Sequence, residues 1–199
     1  MMVSRIDLRP AAAELSGLIE STGADQLDGP TPLDDTSVAA LLAHIGRLSQ
    51  AFTAAAAKTS FGDGGPPPPP SDERLPADWR TAIPRQLAGL AKAWDDPAAW
   101  EGTTSAGGVD APAPEIAVVA LDELVIPGWD LARATGQSFS CDPVSTKTVL
   151  AFAEANATIE GSEQVGLFGP AVAVPDDAPD LDRALGFAGR RPDWTPDPR

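Results

Sequence analysis

The chain has 199 residues, of which 29 are acidic and 14 are basic, and its formal net charge is −15. This charge argues against nucleic acids and anionic membranes as partners, because both require a basic protein surface. No apolar run approaches the roughly 20 residues of a membrane span. The start of the chain lacks the apolar core of a signal peptide, and the single Cys141 excludes an internal disulfide. We therefore expect one cytoplasmic domain over residues 1–199.

Apolar residues recur at helical spacing in five stretches of the chain. These are residues 7–22, 36–57, 78–94, 113–135 and a fifth stretch with Asp142 as its cap and Pro143 as its first helical residue. No stretch shows the alternation of a strand, so the predicted fold class is all-α. We expect a four-helix bundle with a long crossover, a fifth helix and an irregular C-terminal tail over residues 168–199, in which residues 181–187 form a short helix.

Two segments between the helices lack periodicity. Residues 61–71 contain five consecutive prolines and are predicted to form an exposed, polyproline-type loop. A role of this loop as a ligand of an SH3-type domain is the weaker alternative. Residues 95–114 are rich in glycine, alanine and proline, and they form either an active-site lid or a long crossover.

The stretch over residues 121–137 reads LDELVIPGWDLARATGQ and contains an unusual pair of positions. Glu123 and Pro127 are four residues apart, so they share one face of the predicted fourth helix. Such a face can hold two metal ligands, but proline cannot be one of them. Proline also lacks the backbone N–H and crowds the Glu123 carbonyl. We therefore expect the helix to bend or break between Glu123 and Trp129.

Three stretches together carry a resemblance to a known family: LLAHIGRL at residues 41–48, DELVIPGWDLARATGQ at residues 122–137 and FAGRRPDW at residues 187–194. They resemble the DinB-like metal-binding superfamily. The most similar branch is the actinobacterial one related to the N-terminal domain of mycothiol-dependent maleylpyruvate isomerase. This resemblance implies a DinB-like four-helix bundle with a divalent metal in its interior. It also implies that His44, Glu123 and the residue at Pro127 occupy the three ligand positions.

The sequence departs from this pattern at the third ligand, because Pro127 stands where the family has a histidine. A catalytic zinc site generally has three protein ligands and an open position, and His44 is the only histidine of the chain. Asp122, Glu123 and Asp130 offer an alternative, oxygen-rich set for Mn²⁺ or Mg²⁺. The family motif carries that last aspartate beside an intact histidine, however, which favours a structural role. We therefore predict a degenerate metal site.

The pocket between the second and fourth helices is expected to keep its shape without the metal. We predict that it is lined by His44, Glu123, Pro127, Trp129 and Asp130. The metal-ligand candidates are His44 and Glu123 only, and a hydrogen bond between them would replace the metal bridge. The expected cofactor is none, or zinc, nickel or manganese if the site is retained.

Charged residues near this pocket are expected to form ion pairs and to hold the tail. Asp130 and Arg133 are three residues apart on the predicted helix, a spacing that favours a local ion pair. Arg190, Arg191 and Trp194 are expected to dock the C-terminal tail on the bundle.

Three classes of function stay open. The favoured one is a small-molecule-binding protein without enzymatic activity. The alternative is a metal-dependent, mycothiol-dependent transferase or isomerase, in which the metal would lower the pKa of the thiol and orient it. The third is an interaction module, a homodimer, that uses a face of the bundle or the proline-rich loop. No phosphate loop or CxxC motif points to another class of enzyme.

Overall fold

The computed structural model describes residues 5–62, 74–158 and 168–196. Within these ranges the chain forms six α-helices and one antiparallel pair of strands. They follow in the order α1 (Arg9–Ser21), α2 (Val38–Ala56), α3 (Trp79–Trp94), β1 (Thr103–Ala106), β2 (Val109–Pro112), α4 (Ala113–Thr135), α5 (Pro143–Asn156) and α6 (Asp180–Phe187). The five predicted helices and the short helix of the tail are thus confirmed. Most of the proline-rich loop, residues 63–71, lies outside the described residues.

Helices α1 to α4 form the bundle. Each of α1 and α2 packs against both α3 and α4, and α5 packs against α4 and α6. All four bundle helices contribute fully buried leucines, among them Leu15, Leu41, Leu87 and Leu121. The predicted all-α class and four-helix bundle are therefore confirmed. No helix within the described ranges is long and apolar enough to cross a membrane.

Side-chain caps fix the starts of two helices that position the site. The hydroxyl of Ser37 accepts a hydrogen bond of 3.2 Å from the N–H of Ala40, at the first turn of α2. Asp142 accepts two hydrogen bonds of 3.0 Å from N–H groups in the first turn of α5, and Pro143 follows it as the first helical residue. These are the signals that the sequence shows at both places.

The crossover between α3 and α4 contains a β-hairpin that the sequence pattern does not predict. β1 and β2 pair in antiparallel register, with Thr103 opposite Pro112. Gly107 and Gly108 form the turn with positive φ angles of 59° and 81°, as a two-residue type I′ turn requires. The strands are not predicted because each has only four residues, which is too few to establish an alternating pattern.

Helix α4 continues without interruption through Pro127, so the break expected between Glu123 and Trp129 is wrong. Proline in a helix interior costs roughly 3 kcal/mol. The flanking Ile126 and Trp129 are buried, and each such side chain contributes about 1.5–3 kcal/mol when buried. Packing of α4 against α1 and α2 therefore outweighs the local penalty. α3 likewise contains a proline, Pro84, in its interior.

Candidate functional site

A cavity of about 310 Å³ lies between α2 and α4, and residues of α5 and of the C-terminal tail complete its wall. Its lining combines apolar and ionisable side chains: Leu33, Leu41, His44, Val119, Asp122, Glu123, Ile126, Pro127, Asp130, Phe152, Phe168, Gly169 and Arg190. No residue of the β-hairpin lines it. The hairpin therefore forms a crossover and not a lid over this cavity.

Two adjacent strips of α4 form one wall of the cavity. Residues four apart lie on the same side of a helix, and both strips follow this spacing. The first strip consists of Val119, Glu123 and Pro127, and the second consists of Asp122, Ile126 and Asp130. The wall therefore presents three carboxyl groups to the cavity.

His44 of α2 faces Glu123 of α4 across the cavity. The Nε2 atom of His44 lies 3.7 Å from the Oε2 atom of Glu123, and the two side chains are 14% and 31% exposed. This distance permits an ion pair when the imidazole is protonated, but it is too long for a hydrogen bond. The predicted hydrogen bond between these residues is therefore not formed.

Asp122 is the most unusual group of the site. It is 3% exposed, and its Oδ1 atom is buried without a hydrogen-bond partner. Burial raises the pKa of Asp122 well above its usual range; the neighbouring Glu123 raises it further, and Arg190 opposes both effects. An unsatisfied buried polar group costs about 1–3 kcal/mol. The protein therefore tolerates a destabilising group in the wall of this cavity.

Asp130 is fully buried and pairs with Arg190 from the C-terminal tail. The Nη2 atom of Arg190 donates to Oδ2 of Asp130 at 3.0 Å, and its Nη1 atom donates to the carbonyl of Ala188 at 2.7 Å. Burial raises the pKa of Asp130, whereas the charge and hydrogen bonds of Arg190 lower it. The predicted ion pair between Asp130 and Arg133 is thus wrong, because Asp130 lies on the buried face of α4 and its cation comes from the tail.

The tail docks on α4 through a second contact as well. Arg133 donates from Nε to the backbone carbonyl of Trp194 at 2.9 Å, and its guanidinium lies 5.9 Å from the centre of the Trp129 ring. The docking expected of Arg190 and Trp194 is therefore present. Arg191 does not take part, because it is exposed and pairs with Asp193 at 3.4 Å.

The chain is similar to a known protein family in sequence and to solved structures in fold. A sequence model of the mycothiol maleylpyruvate isomerase N-terminal domain matches residues 8–132, more than half of the chain. The chain belongs to this family. Two solved structures, the mycothiol-dependent maleylpyruvate isomerase and a mutant of it with a histidine replaced by alanine, share the fold with TM-scores of 0.57 and 0.55. Their sequences are 19% and 17% identical to this chain, and each match covers 75% of this chain and 67% of the other. No curated protein sequence is significantly similar.

The match to the mycothiol maleylpyruvate isomerase N-terminal domain covers only part of the cavity. It includes α2 and almost all of α4, and thus His44, Glu123 and Pro127. Phe152, Phe168 and Arg190 lie beyond its last residue. The part of the cavity wall that α5 and the tail form is therefore outside the region that defines the family.

The residues present do not complete the three-ligand metal site expected from the sequence resemblance. Pro127 lines the cavity where the resemblance implies a third ligand, and both oxygens of Asp130 face the Arg190 guanidinium. Within the described ranges, no three His, Cys, Asp or Glu side chains are grouped to hold a metal ion. His44 and Glu123 remain as two facing groups, whereas a catalytic zinc site has three protein ligands.

Four of the five residues predicted for the pocket line this cavity: His44, Glu123, Pro127 and Asp130. The fifth, Trp129, is buried in the bundle core beneath Arg133 and does not line it.

Several residues that line the cavity were not predicted from the sequence. Asp122 is weighed only as a metal ligand, although its spacing to Ile126 and Asp130 was visible in the sequence. Phe152, Phe168 and the pairing of Arg190 depend on contacts that no local pattern reveals.

Proposed function

We propose that this protein binds a small organic molecule in the cavity between α2 and α4, and that it does not perform metal-dependent thiol chemistry. The observation that carries the proposal is Pro127 in the cavity wall, at the position where the family resemblance implies a metal-binding histidine. Activation of a thiol by a bound metal needs an ion held by enough ligands to leave one defined open position. His44 and Glu123 alone do not satisfy that requirement.

The composition of the cavity supports binding of an organic molecule. Its volume of about 310 Å³ lies at the lower end of the range for small-molecule sites. Apolar side chains form most of the wall, and a few polar groups converge on it, which is the usual composition of such sites. The unpartnered Oδ1 of Asp122 is a group that a ligand can satisfy.

The described surface favours this function over an interaction module. Within the described ranges, the exposed large hydrophobic side chains are Val109 and Val144. One belongs to the hairpin and the other to the start of α5. Stable protein interfaces are centred on a buried apolar cluster, and two separate valines do not form one.

The experiment combines metal analysis with a ligand screen on protein purified without a histidine tag. We expect less than stoichiometric metal, and we expect some small molecules to raise the melting temperature of protein treated with a chelator. Val119→Phe should abolish these shifts, because it fills the cavity from its α4 wall. Val118→Phe, the same change one residue earlier and outside the cavity lining, is the matched control.

Two results would contradict the proposal. One is a stoichiometric metal ion whose binding is lost on substitution of His44 or Glu123, which would favour the metal-dependent transferase or isomerase. The other is ligand binding that persists unchanged in Val119→Phe, which would place the ligand elsewhere.

A further inference from the structure

The described lining of the cavity contains more acidic than basic side chains. Three carboxyl groups line it, against one guanidinium and one imidazole. Asp130 and Arg190 engage each other at 3.0 Å, and the guanidinium also donates to the Ala188 carbonyl. Three of its five N–H groups are thereby engaged, and Asp130 balances its charge. Among the described residues of the cavity, an anionic ligand would thus meet the carboxyl groups of Asp122 and Glu123 beside a guanidinium that is already paired.

The carboxyl oxygens of Asp122 and Glu123 can accept hydrogen bonds from a ligand. The Oδ1 atom of Asp122 has no hydrogen-bond partner although the residue is almost fully buried. Glu123 is adjacent to it in sequence, is 31% exposed, and lies 3.7 Å from His44. An N–H group of a ligand placed between them would satisfy Asp122 and form a charge-assisted hydrogen bond.

Another part of the cavity lining is apolar and aromatic. Phe152 of α5 and Phe168 of the tail line it, with ring centres 6.1 Å apart and ring planes at 84°. Leu41 and Ile126 also contribute. Such a wall accommodates a hydrocarbon group, and the faces of aromatic rings attract cations.

We infer that the cavity takes a small organic ammonium ion with an apolar body, whose N–H groups donate to Asp122 and Glu123 and whose hydrocarbon part lies against Phe152 and Phe168. This inference rests on the proposed binding function. It names the chemical class of the ligand, and it assigns Asp122 and Glu123 the role of recognising the head group.

The test uses three probes that share one ring and differ in their head group: benzylammonium, benzyl alcohol and benzoate. Binding is measured by calorimetry at neutral pH and constant ionic strength, with chelator present. We expect benzylammonium to bind about tenfold more tightly than benzyl alcohol, the ratio for one charge-assisted hydrogen bond, and benzoate not to bind. Equal binding of all three, or tighter binding of benzoate, overturns the inference.

Two variants test whether Asp122 and Glu123 recognise the ammonium head group. Glu123→Gln and Asp122→Leu should each weaken benzylammonium binding about tenfold or more, with a smaller effect on benzyl alcohol. Glu115→Gln is the matched control, because Glu115 is exposed in the first turn of the same helix. Circular dichroism verifies the folding of each variant. Unchanged benzylammonium binding by Glu123→Gln, which alters a partly exposed residue, overturns the assignment even if Asp122→Leu fails to fold.

The outcomes also separate this inference from the proposed function. If benzoate or benzyl alcohol binds at least as tightly as benzylammonium and Val119→Phe blocks this binding, the binding function stands and the ammonium class is wrong. If no probe binds and the ligand screen also finds none, both are wrong. If zinc or manganese added without chelator binds stoichiometrically and displaces benzylammonium, the cation of this site is a metal, and both are wrong.

Discussion

Replacing Pro127 with histidine should give the cavity a metal site. The His44 Nε2 and Glu123 Oε2 atoms are 3.7 Å apart. Two ligands held about 2.1 Å from one tetrahedral ion lie about 3.4 Å apart, so a shift of a few tenths of an ångström brings these two atoms to a common metal. A histidine four residues after Glu123, on the same strip of α4, provides the third ligand. Pro127→His should therefore bind zinc or nickel.

The size of the effect follows from linkage between binding and folding. A metal present at a hundredfold excess over its Kd stabilises the folded protein by about 2.7 kcal/mol. For a chain of this length, each kcal/mol raises the melting temperature by about 2–4 °C. Zinc should thus raise the melting temperature of Pro127→His by about 5–11 °C. Thermal denaturation with zinc and with chelator measures this difference.

Pro127→Ala is the control that separates the imidazole from the removal of proline. Both variants regain a backbone N–H in α4 and lose the proline ring, so any shared change in stability comes from the helix. Only the histidine variant should respond to zinc. An absence of zinc binding by well-folded Pro127→His would refute the argument that residue 127 faces His44 at ligand distance. Stoichiometric metal in the unmutated protein would refute the degenerate site itself.

Three further variants test the packing around the site. Asp122→Leu should raise the free energy of unfolding by about 1–3 kcal/mol, because it removes a buried acceptor without a partner. Burial raises the folded-state pKa of Asp122 above its unfolded value near 3.8, so the contribution of Asp122 to stability falls as the pH rises above about 4. The difference in free energy of unfolding between Asp122→Leu and the unmutated protein should therefore grow over that pH range. A difference that does not change with pH would contradict this. Arg190→Ala should lower the free energy of unfolding, measured by urea denaturation, by about 3–5 kcal/mol, because Asp130 is left buried without its cation. Arg191 is exposed, and Arg191→Ala should change the free energy of unfolding by less than about 0.5 kcal/mol. Equal effects of the two arginines would show that the ion pair with Asp130 contributes little. Leu87→Ala should lower the free energy of unfolding by about 2–5 kcal/mol if the bundle core is as tightly packed as the burial of Leu87 indicates.

The helices could be predicted from the sequence because their signals are local. Apolar spacing marks the buried face of each helix, and Ser37 and Asp142 are capping residues that act within one turn. Pro127 shows the limit of such reasoning. Its local penalty favours a break, but the buried residues on both sides keep α4 continuous, and their partners are on other helices. The Gly107–Gly108 turn is the one local signal of the hairpin, and its short strands also depend on contact with α2 and α4.

The site could be predicted only where one helix or the family motif places its residues. Glu123, Pro127 and Asp130 follow from helical spacing, and His44 follows from the family resemblance. The partner of Asp130 is 60 residues away in the chain, and no spacing rule reaches that far. The prediction therefore chose the nearby Arg133, which satisfies a local rule but lies off the buried face.

The absence of a histidine at Pro127 is compatible with ligand binding in the cavity, because the carboxyl groups of its wall lie on two strips of α4. Pro127 alters only the strip that also holds Glu123. The strip with Asp122 and Asp130 keeps its chemistry, and Arg190 neutralises Asp130 from a segment beyond the family match. Asp122 is left as a buried acid without a partner, which costs the free protein stability. In the proposed function such a cost is expected of a binding group, since a bound ligand would restore the missing hydrogen bond. In the proposed function, the bundle thus forms the cleft, and Asp122 and Glu123 of α4 together with α5 and the tail select the ligand.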